Sequence, residues 1–206
     1  MKTSPTFNYE EQFWSKGLRY IAGADEVGKG AFAGPVVAAA VILPANKHFV
    51  LIDKINDSKQ LSAKQREKLD VVIKDNAICY NIATIDIEDI NKSGIGVATD
   101  MALYEAVMGL PALAQHILVD AFYIKNIPQT LQTPIIKGDQ KSYTIAAASI
   151  IAKVYRDKLM TELDKQYENY KFAKHKGYGT LAHRKLIKQY GLCPIHRTSF
   201  NLQKFL

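Results

Sequence analysis

The chain has 206 residues, of which 48% are hydrophobic, and it carries a formal net charge of +7 with a pI of about 9.2. This length suits one domain with a buried core. The sequence contains no apolar run of the ~18 residues that a membrane span needs, and its N-terminus lacks the apolar stretch of a secretory signal. We therefore expect a soluble, cytoplasmic protein. Cys79 and Cys193 lie far apart, which favours free thiols over a disulfide or a metal site.

The predicted elements alternate between strands and helices. Strands are predicted over 21–25, 35–43, 77–85, 116–121 and 134–139. Helices are predicted over 58–74, 90–108, 141–167 with Ser142 as its cap, and 180–189. Strands that come first and are then interleaved with helices predict an α/β fold with a mixed sheet.

Positive charge is concentrated near the C-terminus. From residue 171 onward the chain has no Asp or Glu, but it contains Lys171, Lys174, Lys176, Arg184, Lys185, Lys188, Arg197 and Lys204, together with His175, His183 and His196. Such a stretch indicates a surface that binds phosphates, and therefore a nucleic acid. The alternative is a solvated basic face.

Acidic residues stand at the ends of three predicted strands. The first strand reaches Asp25 and Glu26, a later one reaches Asp120 in ILVDA, and another reaches Asp139 in IIKGD. A carboxylate that follows an apolar strand is costly in a dry site unless several carboxylates share a cation. Two Mg²⁺ ions about 3.5–4 Å apart are suited to hydrolysis of a phosphodiester. The alternative is that each acid only marks a strand end at the surface.

A glycine turn, GKGAFAG (28–34), joins the first two predicted strands. It does not match the dinucleotide fingerprint, because its third glycine comes one residue late and a strand follows. It does not match the ATP-binding loop either, because Gly30 follows Lys29 where Ser or Thr is needed. Gly28 and Gly30 instead allow the backbone to approach a ligand closely. We predict that the turn contacts the sugar-phosphate of a nucleic-acid substrate next to the bond that is cut. The alternative is an ordinary glycine hairpin.

Six longer motifs carry a resemblance to a known family. In chain order between about residues 20 and 200 they are ADEVGKGAFAGPVVAAAVIL, INDSKQLSAKQREKL, ILVDA, KGDQKSYTIAAASIIAKVYRDKL, HKGYGT and GLCPIHRTSF. Together they resemble ribonuclease HII. The resemblance implies an RNase H-like fold, with a mixed central β-sheet flanked by helices and a small C-terminal helical portion. It also implies hydrolysis of RNA in RNA–DNA hybrids and cleavage 5′ of ribonucleotides embedded in duplex DNA, leaving a 3′-hydroxyl and a 5′-phosphate.

The resemblance assigns roles to individual residues. The catalytic and metal-binding carboxylates would be Asp25, Glu26, Asp120 and Asp139, holding two Mg²⁺ or Mn²⁺ ions. The substrate-binding residues would be Gly28, Lys29 and Gly30 at the 2′-hydroxyl, Ser58 and Lys59 at a phosphate, and Tyr178 against the sugar on the DNA side. For Tyr178 the alternative is a half-buried aromatic residue with no contact to substrate.

The sequence departs from the family pattern at two places. Lys29 stands where the family usually has arginine. A lysine in this turn is more typical of ribonuclease HIII, so the preference between single ribonucleotides and longer RNA stays open. Ala121 stands where glycine is commoner, and we expect this change to have little effect. Residues 1–19 are expected to be an N-terminal extension and residues 20–206 the catalytic domain, in a monomer. The alternatives are a ribonuclease HIII-like specificity, a nuclease of the wider fold that acts on DNA alone, and a non-catalytic nucleic-acid binding protein.

Overall fold

A five-stranded mixed sheet forms the centre of the computed structural model, which describes residues 4–45 and 62–206. Its strands are β1 (Ile21–Val27), β2 (Val36–Ile42), β3 (Cys79–Ile85), β4 (His116–Asp120) and β5 (Gln132–Ile135), in the spatial order β3-β2-β1-β4-β5. The pairs β1–β2 and β2–β3 are antiparallel, whereas β1–β4 and β4–β5 are parallel. The predicted α/β class with a mixed sheet is confirmed.

Helices cover both faces of the sheet. They are α1 (Asn8–Trp14), α2 (Ala63–Asn76), α3 (Ile87–Ser93), α4 (Ile95–Met108), α5 (Tyr143–Gln166), α6 (Phe172–His175) and α7 (Leu181–Tyr190). The predicted cap of α5 is confirmed, since the Ser142 hydroxyl accepts the Ile145 N–H at 3.2 Å. In the described part of the chain, no helix combines the length and the apolar character that crossing a membrane requires.

Three predicted elements differ from the structure. The helix expected over 58–74 is α2, which begins at Ala63 because the Ser62 hydroxyl caps it by accepting the Gln65 N–H at 3.3 Å. The helix expected over 90–108 is two helices, because Gly94 has a φ of +81° and interrupts the hydrogen-bond ladder between α3 and α4. The strand expected over 134–139 ends at Ile135, because Lys137 adopts a left-handed conformation with a φ of +58°. Asp139 consequently lies in a 3-10 turn, Gly138–Gln140, and not at a strand end.

Helix α5 lies directly on the central strand. A Cβ at Gly23 of β1 would come within 2.3 Å of the Thr144 carbonyl carbon, so only glycine allows this approach. The helix presents small buried residues to the sheet, including Ala147 and Ala148. Helix α4 covers the opposite face and packs against Ala22 and Ala24 of β1.

The N-terminal segment is packed against the start of α5. The buried carboxylate of Glu10 accepts the Ser142 hydroxyl at 2.6 Å and the Thr144 N–H at 3.0 Å, and burial raises the pKa of this carboxyl. Phe7 and Trp14 join the core on the same side of the sheet. These contacts fix the N-terminus of α5, whereas a domain boundary at residue 20 stays a prediction.

Candidate active site

Three of the predicted catalytic acids lie on the two central parallel strands. Asp25 and Glu26 belong to β1, and Asp120 is the last residue of β4. Ala24 pairs with Val119, so Asp25 and Asp120 are the next residues in register on strands about 4.8 Å apart. The sheet therefore places two carboxylates side by side that are far apart in the sequence.

Asp139 reaches the same edge of the sheet from the turn after β5. It is only 2% exposed. The preceding residue, Gly138, donates its N–H to the Asp120 carboxylate at 2.7 Å. A Cβ at Gly138 would lie 2.6 Å from the Ile145 side chain, so glycine allows the turn to approach α5 this closely. The turn thus orients Asp120 and brings Asp139 toward the acids of the central strands.

A cleft of about 500 Å³ opens in front of these acids. Its lining residues are Asp25, Glu26, Val27, Arg66, Asp120, Ser149, Lys153 and Tyr178. Among these, sequence reasoning did not single out Arg66, Ser149 and Lys153. Ser149 and Lys153 are four residues apart on α5, a spacing that places side chains on one helical face and could have identified them. The cleft therefore combines carboxylates with cationic groups that suit a phosphodiester.

The acids repel one another within this cleft. Burial, followed by the negative charges of Glu26 and Asp120, raises the pKa of Asp25 well above its ordinary value. A hydrogen bond from Ser149 opposes this shift, and the charge of Asp139 adds to it. The Asp25 carboxylate also accepts the N–H of Glu26 at 2.8 Å. The other three predicted carboxylates thus all interact electrostatically with Asp25. Bound cations would stabilise such a group of acids by offsetting their repulsion.

The residues fit a divalent metal by their chemistry. Carboxylate oxygens are the ligands that Mg²⁺ and Mn²⁺ prefer. Within residues 4–45 and 62–206, no three His, Cys, Asp or Glu side chains already stand in an arrangement that would hold an ion. The assignment of ligands therefore stays a prediction that rests on the donor set and on the mutual repulsion of the acids.

Asp157 of α5, next to Arg156, has a structural role. Its carboxylate lies 2.7 Å from the Lys153 ammonium and 3.7 Å from the Arg66 guanidinium. This ion pairing gives the mid-helix carboxylate two cationic partners. It also connects the two cationic residues of the cleft to each other.

The glycine turn follows β1 directly and closes with a hydrogen bond from the Ala31 N–H to the Gly28 carbonyl at 3.1 Å. Its two glycines differ in their surroundings. Gly28 has a φ of +90°, and a Cβ there would lie 2.2 Å from the Arg156 Nε. At Gly30 a Cβ would meet no atom within 4 Å of the described chain, and its φ is not in the left-handed region. The fold therefore requires glycine at Gly28 but not at Gly30.

Two fully buried arginines hold the turn from behind. Arg156 donates to the carbonyls of Pro35 and Ala33 at 2.9 and 3.1 Å, and to the Lys176 carbonyl at 2.9 Å. Arg197 donates to the carbonyls of Gly34 and Lys29 at 2.9 and 3.0 Å. Burial, followed by the charge of Arg156, lowers the pKa of Arg197 to about 9, so this guanidinium remains charged at neutral pH. The arginines thereby fix the carbonyls of the turn and of the residue that follows it.

Tyr178 is half-buried in the loop between α6 and α7 and lines the cleft. An isolated bridge joins its backbone to Ala31 of the turn. The ring lies 5.6 Å from the Lys153 ammonium and 5.5 Å from the Arg156 guanidinium carbon. The Tyr178 carbonyl lies 3.0 Å from Nδ1 of His183, whose Nε2 lies 3.1 Å from Nε2 of His196. The structure therefore places Tyr178 beside the predicted acids and the glycine turn.

The basic stretch after residue 171 is only partly a surface. Arg197, His183 and His196 are at most 1% exposed. Burial lowers the pKa of each of these two histidines to about 4, so both are neutral at pH 7. Counting these three residues with the exposed basic face was therefore wrong. Ser58 and Lys59 lie outside the described residues.

Comparison with known proteins identifies the family. The family model described as Ribonuclease HII matches residues 22–203. The chain belongs to the ribonuclease HII family. It is 54% identical over 193 residues to the ribonuclease HII of Ruminiclostridium cellulolyticum, an alignment that covers 94% of this chain and 74% of the relative. It is 48% identical to that of Caldanaerobacter subterraneus, covering 93% and 78%.

A solved structure agrees with this assignment. The ribonuclease H2 from Pyrococcus horikoshii OT3 superposes with a TM-score of 0.73 at 26% identity and covers 90% of this chain and 96% of its own. The RNase H-like fold implied by the sequence is thereby confirmed. As a member of the ribonuclease HII family, the chain is an endonuclease of the RNase H type, which acts on RNA–DNA hybrids and depends on a divalent metal.

Proposed function

We propose that this member of the ribonuclease HII family cuts both the RNA strand of RNA–DNA hybrids and the 5′ side of single ribonucleotides in duplex DNA, leaving a 3′-hydroxyl and a 5′-phosphate. The observation that carries the proposal is that Asp25, Glu26 and Asp120 line one cleft at the end of β1, where the glycine turn begins, while Asp139 lies close enough for its charge to raise the pKa of Asp25. Carboxylates serve the hydrolysis of a phosphodiester, and a backbone turn serves recognition of the ribose.

Asp25, Glu26, Asp120 and Asp139 would hold two Mg²⁺ or Mn²⁺ ions. When bound, such a pair activates a water for in-line attack and stabilises the leaving 3′-oxygen. The chain's own groups orient the ligands: Ser149 donates to Asp25, and the N–H of Gly138 holds Asp120 at 2.7 Å. The raised pKa of Asp25 supports this role, because a crowded set of acids gains most from bound cations.

The glycine turn would recognise the 2′-hydroxyl. Among the described residues, the N–H groups of Lys29 and Gly30 have no backbone partner, whereas the carbonyl of Lys29 is bonded to Arg197. Gly30 is exposed, and nothing in the described chain fills the space that its side chain would occupy. A ribose could therefore approach the backbone here, and its 2′-hydroxyl is the group that distinguishes RNA from DNA.

Tyr178 would pack against the sugar on the DNA side of the junction, where a deoxyribose has no 2′-hydroxyl to desolvate. Lys153 and Arg66 of the cleft, together with Ser58 and Lys59 from the sequence motif, would contact phosphates without reading sequence. Lys29 keeps the positive charge of the usual arginine, but it donates from a single ammonium in place of a planar fork. We propose that the enzyme acts as a monomer.

The decisive experiment uses Asp25→Asn and Asp120→Asn, which keep shape and remove charge. Each variant is expected to lose cleavage of a labelled RNA–DNA hybrid at 10 mM Mg²⁺, about 10³-fold or more, while binding of the hybrid followed by fluorescence anisotropy is retained. Turnover at the wild-type rate in both variants would refute the assignment. The control is Asp157→Asn, whose carboxylate pairs with Lys153 and Arg66 outside the acid group; it should keep most of the activity.

Tyr178→Ala tests the junction role. We expect a larger loss on duplex DNA that contains one ribonucleotide than on a long hybrid, because only the former has one fixed RNA-to-DNA junction. An equal loss on both substrates would remove the proposed contact with the deoxyribose.

A further inference from the structure

Two adjacent aromatic side chains are exposed beside the active site in a groove that the proposed chemistry does not use. Phe122 is 60% exposed and Tyr123 is 46% exposed. They border a groove of about 360 Å³, lined by Lys29, Gly96, Thr99, Asp100, Leu103, Phe122, Tyr123 and Lys125, which we call the aromatic groove. Single exposed apolar residues are ordinary, but two neighbouring exposed rings flanked by two lysines in a groove indicate a site that binds a partner.

The aromatic groove is continuous with the active site. The Lys29 ammonium lies 4.0 Å from the Glu26 carboxylate and 4.7 Å from the centre of the Phe122 ring, so one lysine joins the two. Residues of α4 line the groove, whereas Ser149 and Lys153 of α5 line the cleft. Since α4 and α5 cover opposite faces of the sheet, the groove and the cleft lie on either side of its edge and meet at the glycine turn.

The loop that carries the rings is held at both ends. Ala121 has a φ of +63°, and the Phe122 N–H donates to the Asp120 carbonyl at 2.8 Å, so the rings follow a tight, strained turn directly after a catalytic acid. Beyond the rings, buried Ile124 exchanges backbone hydrogen bonds of 2.8 and 2.9 Å with the Gln132 side chain. The backbone that carries the rings is thus held in place, which reduces the backbone entropy lost on binding.

The charges of the groove favour a polyanion. Lys29 and Lys125 both border it, and its acid, Asp100, is engaged by the Lys125 N–H at 2.9 Å. Aromatic rings pack on the apolar face of a sugar or on a base, and lysines beside them pair with phosphates. An apolar ring leaves a ribose 2′-hydroxyl without a partner, whereas a deoxyribose has no such group. The groove therefore suits a DNA strand better than an RNA strand.

We propose that the aromatic groove binds the DNA strand of the hybrid while the scissile strand lies in the cleft. Phe122 and Tyr123 pack on consecutive deoxyribose units, and Lys29 and Lys125 contact the flanking phosphates. A duplex then straddles the edge of the sheet at the glycine turn. This inference rests on the proposed function and adds the site of the strand that is not cut.

The test compares wild-type protein with the double variant Phe122→Ala/Tyr123→Ala. The matched control is Tyr20→Ala, because Tyr20 is 41% exposed and lies at the opposite end of β1 from the acids. Steady-state cleavage is measured on hybrids with a fixed RNA strand and a DNA strand shortened one nucleotide at a time from either end. Thermal melting of each variant shows that it is folded.

For the wild type and for Tyr20→Ala we expect KM to rise at least about tenfold when the DNA strand no longer reaches the groove. The double variant should begin with that raised KM, keep the wild-type kcat, and show no further step as the DNA strand shortens. A wild-type KM in the double variant, or a step that persists in it, would overturn the proposal. In a second series the DNA strand is kept at full length and the RNA strand is shortened; a step in KM that appears in that series and is lost in the double variant would assign the groove to the RNA strand and would also overturn the proposal.

A direct measurement uses Phe122→Trp. The natural chain has one tryptophan, Trp14, which is 9% exposed, so the introduced indole reports on the groove. Its emission should be quenched by the full hybrid and not by a hybrid with the shortened DNA strand; equal quenching by both would contradict the proposal. If the wild type cleaved no hybrid at all, the proposed function would fail, which is distinguishable from a failure of the groove alone.

Discussion

Alanine at the two glycines of the turn should separate a requirement of the fold from a requirement of the substrate. At Gly28, alanine would place its Cβ 2.2 Å from Nε and 2.8 Å from Cδ of the buried Arg156, at a φ of +90°. The left-handed conformation alone costs about 1–2 kcal/mol for a residue with a Cβ. Arg156 would also have to move, although it holds three carbonyls from a fully buried position.

The size of the effect follows from these contacts. Loss of one hydrogen bond from a charged donor costs about 1.5–3 kcal/mol, so Gly28→Ala should lower the free energy of unfolding by about 3 kcal/mol or more. For a chain of this length, about 2–4 °C of melting temperature corresponds to 1 kcal/mol, and we expect a decrease of roughly 6–12 °C. Gly30→Ala meets no atom within 4 Å and should melt within about 2 °C of the wild type.

Activity should show the opposite pattern for Gly30. A methyl group at this exposed position would stand where the ribose is proposed to approach, so Gly30→Ala should reduce cleavage of the hybrid by about tenfold or more in kcat/KM. The assays are calorimetric melting and hydrolysis of a labelled hybrid. Wild-type stability in Gly28→Ala would refute the packing argument, and full activity in a folded Gly30→Ala would refute close approach of substrate to the turn.

Three further outcomes follow from the structure. Ala121→Gly should raise the free energy of unfolding by about 0.5–1 kcal/mol in urea titrations, because it relieves the φ of +63° at some cost in unfolded-state entropy; unchanged or lower stability would contradict the strain. Burial lowers the pKa values of His183 and His196 to about 4. Below the unfolded pKa of about 6.5 the unfolded chain therefore binds protons that the folded chain does not. The free energy of unfolding should be highest above pH 6.5 and should fall as the pH approaches 4, by about 1–2 kcal/mol per histidine at pH 5. Urea titrations between pH 7.5 and 5 test this, with His183→Asn/His196→Asn expected to flatten the profile. In EDTA, Asp25→Asn should raise the melting temperature, because it removes repulsion among the acids. In Mg²⁺ it should abolish the rise in melting temperature that the metal gives the wild type; an unchanged rise would argue against Asp25 as a ligand.

The acids and the turn could be predicted from the sequence because each has a local signature. Asp25, Glu26 and Asp120 end apolar runs, and the register of parallel strands brings such ends together. Asp139 lies close enough to act on Asp25, but the strand predicted to carry it ends at Ile135, and its catalytic role stays a prediction. A left-handed lysine, Lys137, ends that strand, and no sequence rule anticipates this conformation for a lysine.

Other parts of the site depend on tertiary contacts and have no local signature. Arg156 and Arg197 look like solvated charges in the sequence, yet both are buried and bind only backbone carbonyls among their described hydrogen bonds. From the sequence, alanine in place of glycine at position 121 is expected to have little effect. The strain at Ala121 becomes visible only in the folded turn, where its φ is +63°. Phe122 and Tyr123 carry no sequence signal of exposure, since Phe is among the residue types most often buried and Tyr is intermediate.

The central proposal is that this member of the ribonuclease HII family would recognise ribose at the cut site through its turn and would cleave with metal held by the four acids. It is tested most directly by cleavage of three labelled duplexes in Mg²⁺ and in Mn²⁺: all-DNA, an RNA–DNA hybrid, and DNA with one ribonucleotide. We predict cutting of both ribose-containing duplexes, on the 5′ side of the single ribonucleotide, and none of all-DNA. Cutting of the hybrid alone would show the ribonuclease HIII-like specificity that Lys29 suggests and would contradict recognition of a single ribose, while cutting of all-DNA would contradict the role of the turn.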